Sequence, residues 1–309
     1  MSIGINKENI IELALDDDEF IQYRNPIELG KYLRSKLVDE NSMYYIFLDE
    51  IQKVKTIENP YLENDFIGFV DVLLGLMKKR NTDIYVTGSN SKMLSSDILT
   101  EFRGRGDEIH LYPLSYEEFY NSYKGKKHKA WCDYYTYGGM PYITTLDDHQ
   151  RKSQYLNGLF ENIYILDILE RHKRRDKTNL DNILDIISSS IGSLTNQQKI
   201  SDTFLSVTKT NICPDTISKY LDYFIDAFMI EKTKRFDIKG RKYIGSPYKY
   251  YFSDIGLRNA RLNFRQTEEN LIMQNIIYNE LKIRGLNVDI GNVEYNYKDE
   301  NGNSKKNWD

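Results

Sequence analysis

The chain has 309 residues, 40% of them apolar, with 42 Lys and Arg set against 46 Asp and Glu for a net charge of −4. This is enough apolar material for about two or three packed domains, and the charge argues against a general polyanion binder, although a local basic patch can still act as one. Cys132 and Cys213 stand far apart, four histidines are scattered, and no long apolar run occurs, so the sequence predicts no disulfide framework, no signal peptide, no membrane span and a reducing, cytoplasmic setting.

In chain order, Asn9 to Leu15 is a short apolar run suited to a buried strand. A helix follows, capped by Asn25 with Pro26 at its first position and Glu28 at its third; Leu29, Leu33 and Leu37 give it a buried stripe. Tyr44 to Leu48 reads as a second strand and runs into Asp49 and Glu50. Residues 59–80 carry Phe66, Phe69, Val70, Leu73, Leu74 and Met77 at helical spacing, which predicts one helix with Lys78, Lys79 and Arg80 in its last turn. Asp83 to Asn90 predicts a strand entering a polar turn, Glu108 to Tyr112 a further strand, and Ser115 with Glu118 a capping box. Strands alternating with amphipathic helices imply an α/β fold with a parallel, helix-covered sheet.

An apolar strand ending in two carboxylates can hold magnesium through the first acid and orient an attacking water with the second. The plain alternative is that acidic residues simply end a strand. Thr87, Ser89 and Asn90 lie at the end of the next strand, where a polar side chain can meet a terminal phosphate; Asn90 could equally be a cap. Arg103 and Arg105 could neutralise phosphate charge, although exposed arginines are common.

The segments YYIFLDEIQKV, VTGSNSKML, FRGRGDEIHLYPLSYEEF and YGGMPYI, in this order, resemble a group of bacterial and archaeal AAA-type P-loop ATPases that carry a C-terminal domain of unknown function. The resemblance runs from about Ile10 to Val293. It implies ATP and Mg2+ as cofactors, Asp49 as the magnesium acid, Glu50 as the catalytic acid, Asn90 as the sensor and Arg105 as a phosphate-responsive arginine. Such ATPases also carry a GxxxxGK[ST] loop whose backbone N–H groups cradle phosphate. Here the only Gly-Lys pairs are Gly30-Lys31 and Gly125-Lys126; Asn25 and Tyr120 replace the first glycine, and Tyr32 and Lys127 the Ser or Thr. The resemblance therefore implies an incomplete parallel sheet, shortened ahead of the family's second strand. The family's strand order, 5-1-4-3-2, would leave a gap between the segments at 108–112 and 84–88. No meaningful ATP hydrolysis and no tightly bound cofactor are expected.

Lys124 to Lys129 reads as a basic surface loop. Gly138 and Gly139 permit unusual backbone angles ahead of Pro141. A long helix is predicted over 153–170, with Asp167 on its apolar face, followed by the basic run Arg171 to Lys177. From Asn182 the pattern suits a winged helix-turn-helix: helices over 183–191 and 197–205, a third opened by Pro214, and a hairpin over 231–254 as the wing. Candidate nucleic-acid contacts are Lys219, Lys232, Lys234, Arg235, Lys239, Arg241 and Lys242. Asp215, Asp222 and Asp226 on the third helix would repel phosphates, so docking of a partner protein stays open beside DNA. After Leu262 an amphipathic helix ends at Gly285 and two short strands follow. By resemblance this is part of a nuclease-like α/β fold with Glu269 at its helix position, but one carboxylate makes no metal site and no nuclease activity is expected. The expected organisation is a partial ATPase domain (1–130), a helical linker (131–180), the winged region (181–262) and a partial α/β tail (263–309), with the oligomeric state open.

Overall fold

In a computed structural model, residues 5–88, 106–165, 168–169, 177–265, 268–292, 294–298 and 304–308 are described. The chain divides into two compact units, 1–109 and 110–309.

Among the described residues, the first unit is built on three parallel strands, β1 (Ile10–Ala14), β2 (Tyr44–Asp49) and β5 (Thr82–Val86), in the order β1-β2-β5. The register places Ile11, Ile46 and Ile84 abreast, and likewise Leu13, Leu48 and Val86. Alternation sends Ile11, Leu13, Tyr44, Ile46 and Leu48 to one face. There they form a core with Leu29 and Leu33 of α1 (Pro26–Lys36) and with Phe69, Val72, Leu73 and Leu76 of α2 (Phe69–Leu76). The α1 cap is as the sequence predicts: the Asn25 side chain accepts from the Ile27 and Glu28 amides at 2.9 and 3.4 Å. On the opposite face Phe47 and Tyr85 stack with ring centroids 4.9 Å apart, both substantially exposed.

Two expectations fail, one in this unit and one at the division between the units. Residues 59–80 are not one helix. β3 (Ile57–Glu58) and β4 (Phe66–Ile67) form a small hairpin, and α2 starts only at Phe69. The loop is closed by Asn59 bonding Asp65 through backbone (2.8 Å) and side chain (2.6 Å). Gly68 then starts the helix, its amide donating to the Asp71 carboxylate at 2.8 Å. Phe66 therefore lies outside the helix and is exposed, and Lys78 to Arg80 lie beyond its end. Nor do residues 108–112 form a strand: Ile109 and Leu111 are 80% and 88% exposed, and no described strand pairs with them. An extended apolar segment without a ladder partner has nothing to satisfy its backbone as sheet.

In the second unit, α3 (Tyr116–Ser122) has the expected capping box, with Ser115 and Glu118 exchanging bonds. The basic loop ends earlier than expected, since α4 (Lys127–Tyr137) already contains Lys127 to Lys129. The helix expected over 153–170 is α5 (His149–Leu159) followed by a π-helical turn at Phe160–Ile165. Asp167 and residues 171–176 lie outside the described residues. Next come α6 (Lys177–Ser189), α7 (Gln197–Thr208) and α8 (Pro214–Asp226), the last burying Ile217, Tyr220, Leu221 and Phe224.

β6 (Ile230–Asp237) and β7 (Lys242–Phe252) form an antiparallel hairpin with Lys239, Gly240 and Arg241 at its tip. Thr195, in the loop between α6 and α7, exchanges two 2.8 Å backbone bonds with Tyr248 of β7. After α9 (Ile255–Arg261) and α10 (Glu269–Ile283), β8 (Ile290–Asn292) joins β6 in parallel, giving the sheet order β7-β6-β8. β9 (Glu294–Lys298) and β10 (Ser304–Trp308) form a separate hairpin. The segment after Gly285 thus begins by extending the hairpin's own sheet.

Candidate functional site

The parallel register brings the carboxyl ends of the strands together, which is where such sheets present ligand-facing groups. Leu48 lies beside Val86, so Asp49 and Thr87 are neighbours one step further on. Backbone bonds fix the edge: the Thr87 amide donates to Leu48 O at 2.9 Å, the Ile51 amide to Thr87 O at 3.1 Å, and the Leu15 amide to Asp49 O at 3.1 Å. The Thr87 hydroxyl donates to Asp49 Oδ1 and accepts from the Glu50 amide at 3.4 Å. Glu50 sits at φ 54°, ψ 48°, in the left-handed region, a conformation that costs a side-chain-bearing residue about 1 kcal/mol or more. That turn lets the two adjacent carboxylates share one edge. Gln52 Nε2 donates to Glu50 Oε2. Burial first, and then the charge of Asp49, hold the Glu50 carboxyl above the usual carboxylate range.

Asp49, Glu50 and Thr87 are therefore together. Ser89, Asn90, Arg103 and Arg105 lie outside the described residues. Three contributors escaped the sequence reading. Gln52 bonds Glu50, Asp16 adds negative charge near it, and Arg24 pins the end of β1, donating to Leu15 O (2.7 Å) and Asp16 O (2.8 Å). The acidic run after β1 was the available signal for Asp16, because parallel strands bring their carboxyl ends side by side.

The donor set fits half of what a magnesium nucleotide needs. Asp49 and Thr87 supply hard oxygen donors of the kind magnesium takes. No group of three His, Cys, Asp or Glu that could hold a metal occurs among the described residues, and the sequence has no glycine-rich loop ending in Lys-Ser/Thr to hold phosphates. The residues present do not fit a triphosphate.

The second unit contains a carboxylate of opposite character. Asp254, 2% exposed, accepts from the Gly139 amide at 2.7 Å and the Leu257 amide at 3.0 Å. Burial pushes its carboxyl up to about 6. Gly138 has φ +75°, and a Cβ there would collide with the Asp254 carboxylate. The Leu114 amide donates to Gly139 O at 2.8 Å, and the Tyr116 amide to Glu280 Oε1 at 2.7 Å. The PLSYEEF and GGMP segments thus bond each other, and Asp254 ties them to α9. Arg258, fully buried, bonds Ser188 O, Asn259 Oδ1 and Glu268 Oε2. This is a structural knot whose glycines stand out in the sequence and whose aspartate does not.

Of the nucleic-acid candidates, Lys219, Lys232, Lys234, Lys239, Arg241 and Lys242 are exposed. Arg235 is not: at 8% exposed it points inward with Thr233, as strand alternation requires once Lys232 and Lys234 face out. Asp226 is likewise buried, leaving Asp215 and Asp222 as the exposed acids near Lys219.

An AAA domain family matches residues 2–120, and DUF8612, a domain of unknown function, matches residues 128–268. An uncharacterized protein of Haemophilus influenzae is 31% identical over 296 residues, spanning 94% of this chain and 70% of that protein. The chain belongs to the AAA-type P-loop ATPase family. Another relative of this AAA-type chain, the uncharacterized protein MJ1544 of Methanocaldococcus jannaschii, is 28% identical over 92% of the chain. The chain spans 60% of that relative, less than two thirds of its length. Among solved structures, the Walker-type ATPase PABY2304 of Pyrococcus abyssi aligns with a TM-score of 0.46 at 16% identity, over 76% of this chain and 65% of that one. The Orc1 protein of Aeropyrum pernix, solved in complex with DNA, aligns at 0.27 and 12% over 86% and 78%. No described helix is long and apolar enough to cross a membrane.

Proposed function

We propose that this AAA-type chain carries the magnesium-and-water half of an ATP site and does not itself hydrolyse ATP at a meaningful rate. The convergence of Asp49, Thr87 and Glu50 at one strand edge, in a sequence with no phosphate loop, supports this reading. Asp49 is the magnesium acid and Glu50 the acid that would orient water; Asn90 and Arg105 are the sensor and the phosphate-responsive arginine. The test is ATP turnover and fluorescent-nucleotide titration with and without magnesium. The expected result is turnover indistinguishable from that of Glu50→Gln. A magnesium-dependent activity that Glu50→Gln abolishes would overturn the proposal.

A second reading concerns residues 181–262, as a non-catalytic winged helix-turn-helix that binds nucleic acid or a partner protein. Its support is the order of α6, α7, α8 and the β6–β7 hairpin, with Thr195 bonded across to Tyr248. A basic hairpin beside the third helix is the arrangement that contacts DNA in such modules. Charge reversal at Lys239, Arg241 and Lys242 in the whole chain should weaken DNA binding and flatten its salt dependence. Binding that survives unchanged removes the hairpin from that role.

A further inference from the structure

Between residues 230 and 252, Lys and Arg outnumber Asp and Glu seven to two, in a chain whose net charge is −4. Both acids are engaged. Glu231 accepts from the Tyr278 hydroxyl at 2.8 Å with Lys282 Nζ 3.6 Å away, and Asp237 accepts from the Gly240 amide at 2.9 Å. The two outward lysines of β6 each lean on a tyrosine of β7: Lys232 Nζ lies 3.9 Å from the Tyr248 ring centre and Lys234 Nζ 5.9 Å from that of Tyr243.

The cations and rings therefore share one surface, and from Lys232 to the end of β6 it extends about 17 Å by ordinary strand rise, before Lys239, Arg241 and Lys242 continue it around the tip. Tyr243 is 61% exposed. Its ring is set by a T-shaped contact with Phe236, with centroids 5.3 Å apart, and its hydroxyl donates to Asp289 Oδ2 at 2.8 Å. An aromatic ring held in place, open to solvent and flanked by lysines is a stacking platform for an unpaired base. The helix that would enter a duplex groove is poorly suited to it, because Asp215 and Asp222 stand on α8 beside Lys219.

We infer that the β6–β7 hairpin binds single-stranded nucleic acid, stacking a base on Tyr243 while Lys232, Lys234 and the tip cations follow the phosphates. The inference rests on the nucleic-acid form of the second reading above and narrows its ligand to a single strand. Fluorescence anisotropy of the whole chain tests it, with a labelled oligothymidylate of about 15 nucleotides and the duplex of the same length. The single strand should bind more tightly. Tyr243→Ala should weaken that binding about tenfold and leave the salt slope unchanged. Tyr243→Phe, which keeps the ring but drops the bond to Asp289, should retain the affinity. Lys232→Glu with Lys234→Glu should reduce the salt slope. Duplex binding as tight as single-strand binding, an affinity unmoved by Tyr243→Ala, or an equal loss in Tyr243→Phe would overturn the single-strand inference and leave a basic hairpin standing. No binding of either probe would overturn both.

Discussion

Two carboxylate sites, one in each unit, show how differently the same group can be held. Asp49 and Glu50 end a strand at an edge where one is exposed and the other half-buried, joined through Thr87 and lifted by a strained turn. Asp254 is buried among backbone amides that satisfy it, with glycines on both sides that leave no room for a side chain. The first arrangement spends local stability to present charge. The second uses a charge-bearing group as a structural joint. A raised carboxyl occurs in both places, so the direction of a shift alone does not separate a reactive site from a structural one; the partners do.

The comparison is tested most sharply at Asp254. Asp254→Ala leaves the Gly139 and Leu257 amides unsatisfied in a dry interior, and the expected loss is about 3 kcal/mol or more, read as the midpoint shift in urea unfolding. A loss below about 1 kcal/mol would show that the joint is dispensable.

The next effect is on the pH profile. The folded state keeps the Asp254 proton up to about 6, whereas the unfolded chain releases it near the ordinary value of 3.8. Folding therefore gains from this group below about 4, and that gain is lost as the pH rises through about 6, by an amount on the order of 3 kcal/mol. Stability measured against Asp254→Asn, which cannot titrate, isolates the slope from Glu50 and the other carboxyls. The difference between the two proteins should fall from pH 4 to pH 6 and stay flat above; a flat difference throughout would place the carboxyl near its ordinary value.

At the other site the expected sign is reversed. Glu50→Gly relieves the left-handed backbone and removes a carboxylate crowded by Asp49, so it should stabilise the chain by about 0.5–1 kcal/mol. Destabilisation by that variant would mean that the Gln52 contact outweighs the strain.

Much of the first unit was legible. Asn25 and Pro26 announced α1 because capping is local chemistry, and the alternation in β1 and β2 set their buried face. Local bonding also defeated periodicity: the Asn59–Asp65 loop and the Gly68 start broke a helix that the apolar spacing over 66–77 favours. Residues 108–112 have the composition of a strand, but a strand needs a neighbour that composition does not reveal. Of the carboxylate site, the residue types and the approach of Thr87 could be read from strand ends. The backbone of Glu50 could not, since nothing in a Glu signals a positive φ. Arg235 was misjudged despite a legible cue, because alternation with Lys232 and Lys234 turns it inward. Asp254 stayed hidden for a different reason: its partner Gly139 is 115 residues away.

That separation matters on the ribosome. The three described parallel strands of the first unit are complete once Val86 has emerged, and their contacts are with recently made chain. The knot around Gly139 waits for Asp254, and the Tyr116 amide waits for Glu280, 164 residues later. β6 gains its outer neighbour only at Ile290. Until Asp254 and Glu280 emerge, then, the second unit exposes the apolar residues of α3 and α4, and from Asp237 to Ile290 it also carries an unfinished strand edge, the condition in which nascent chains depend on chaperones.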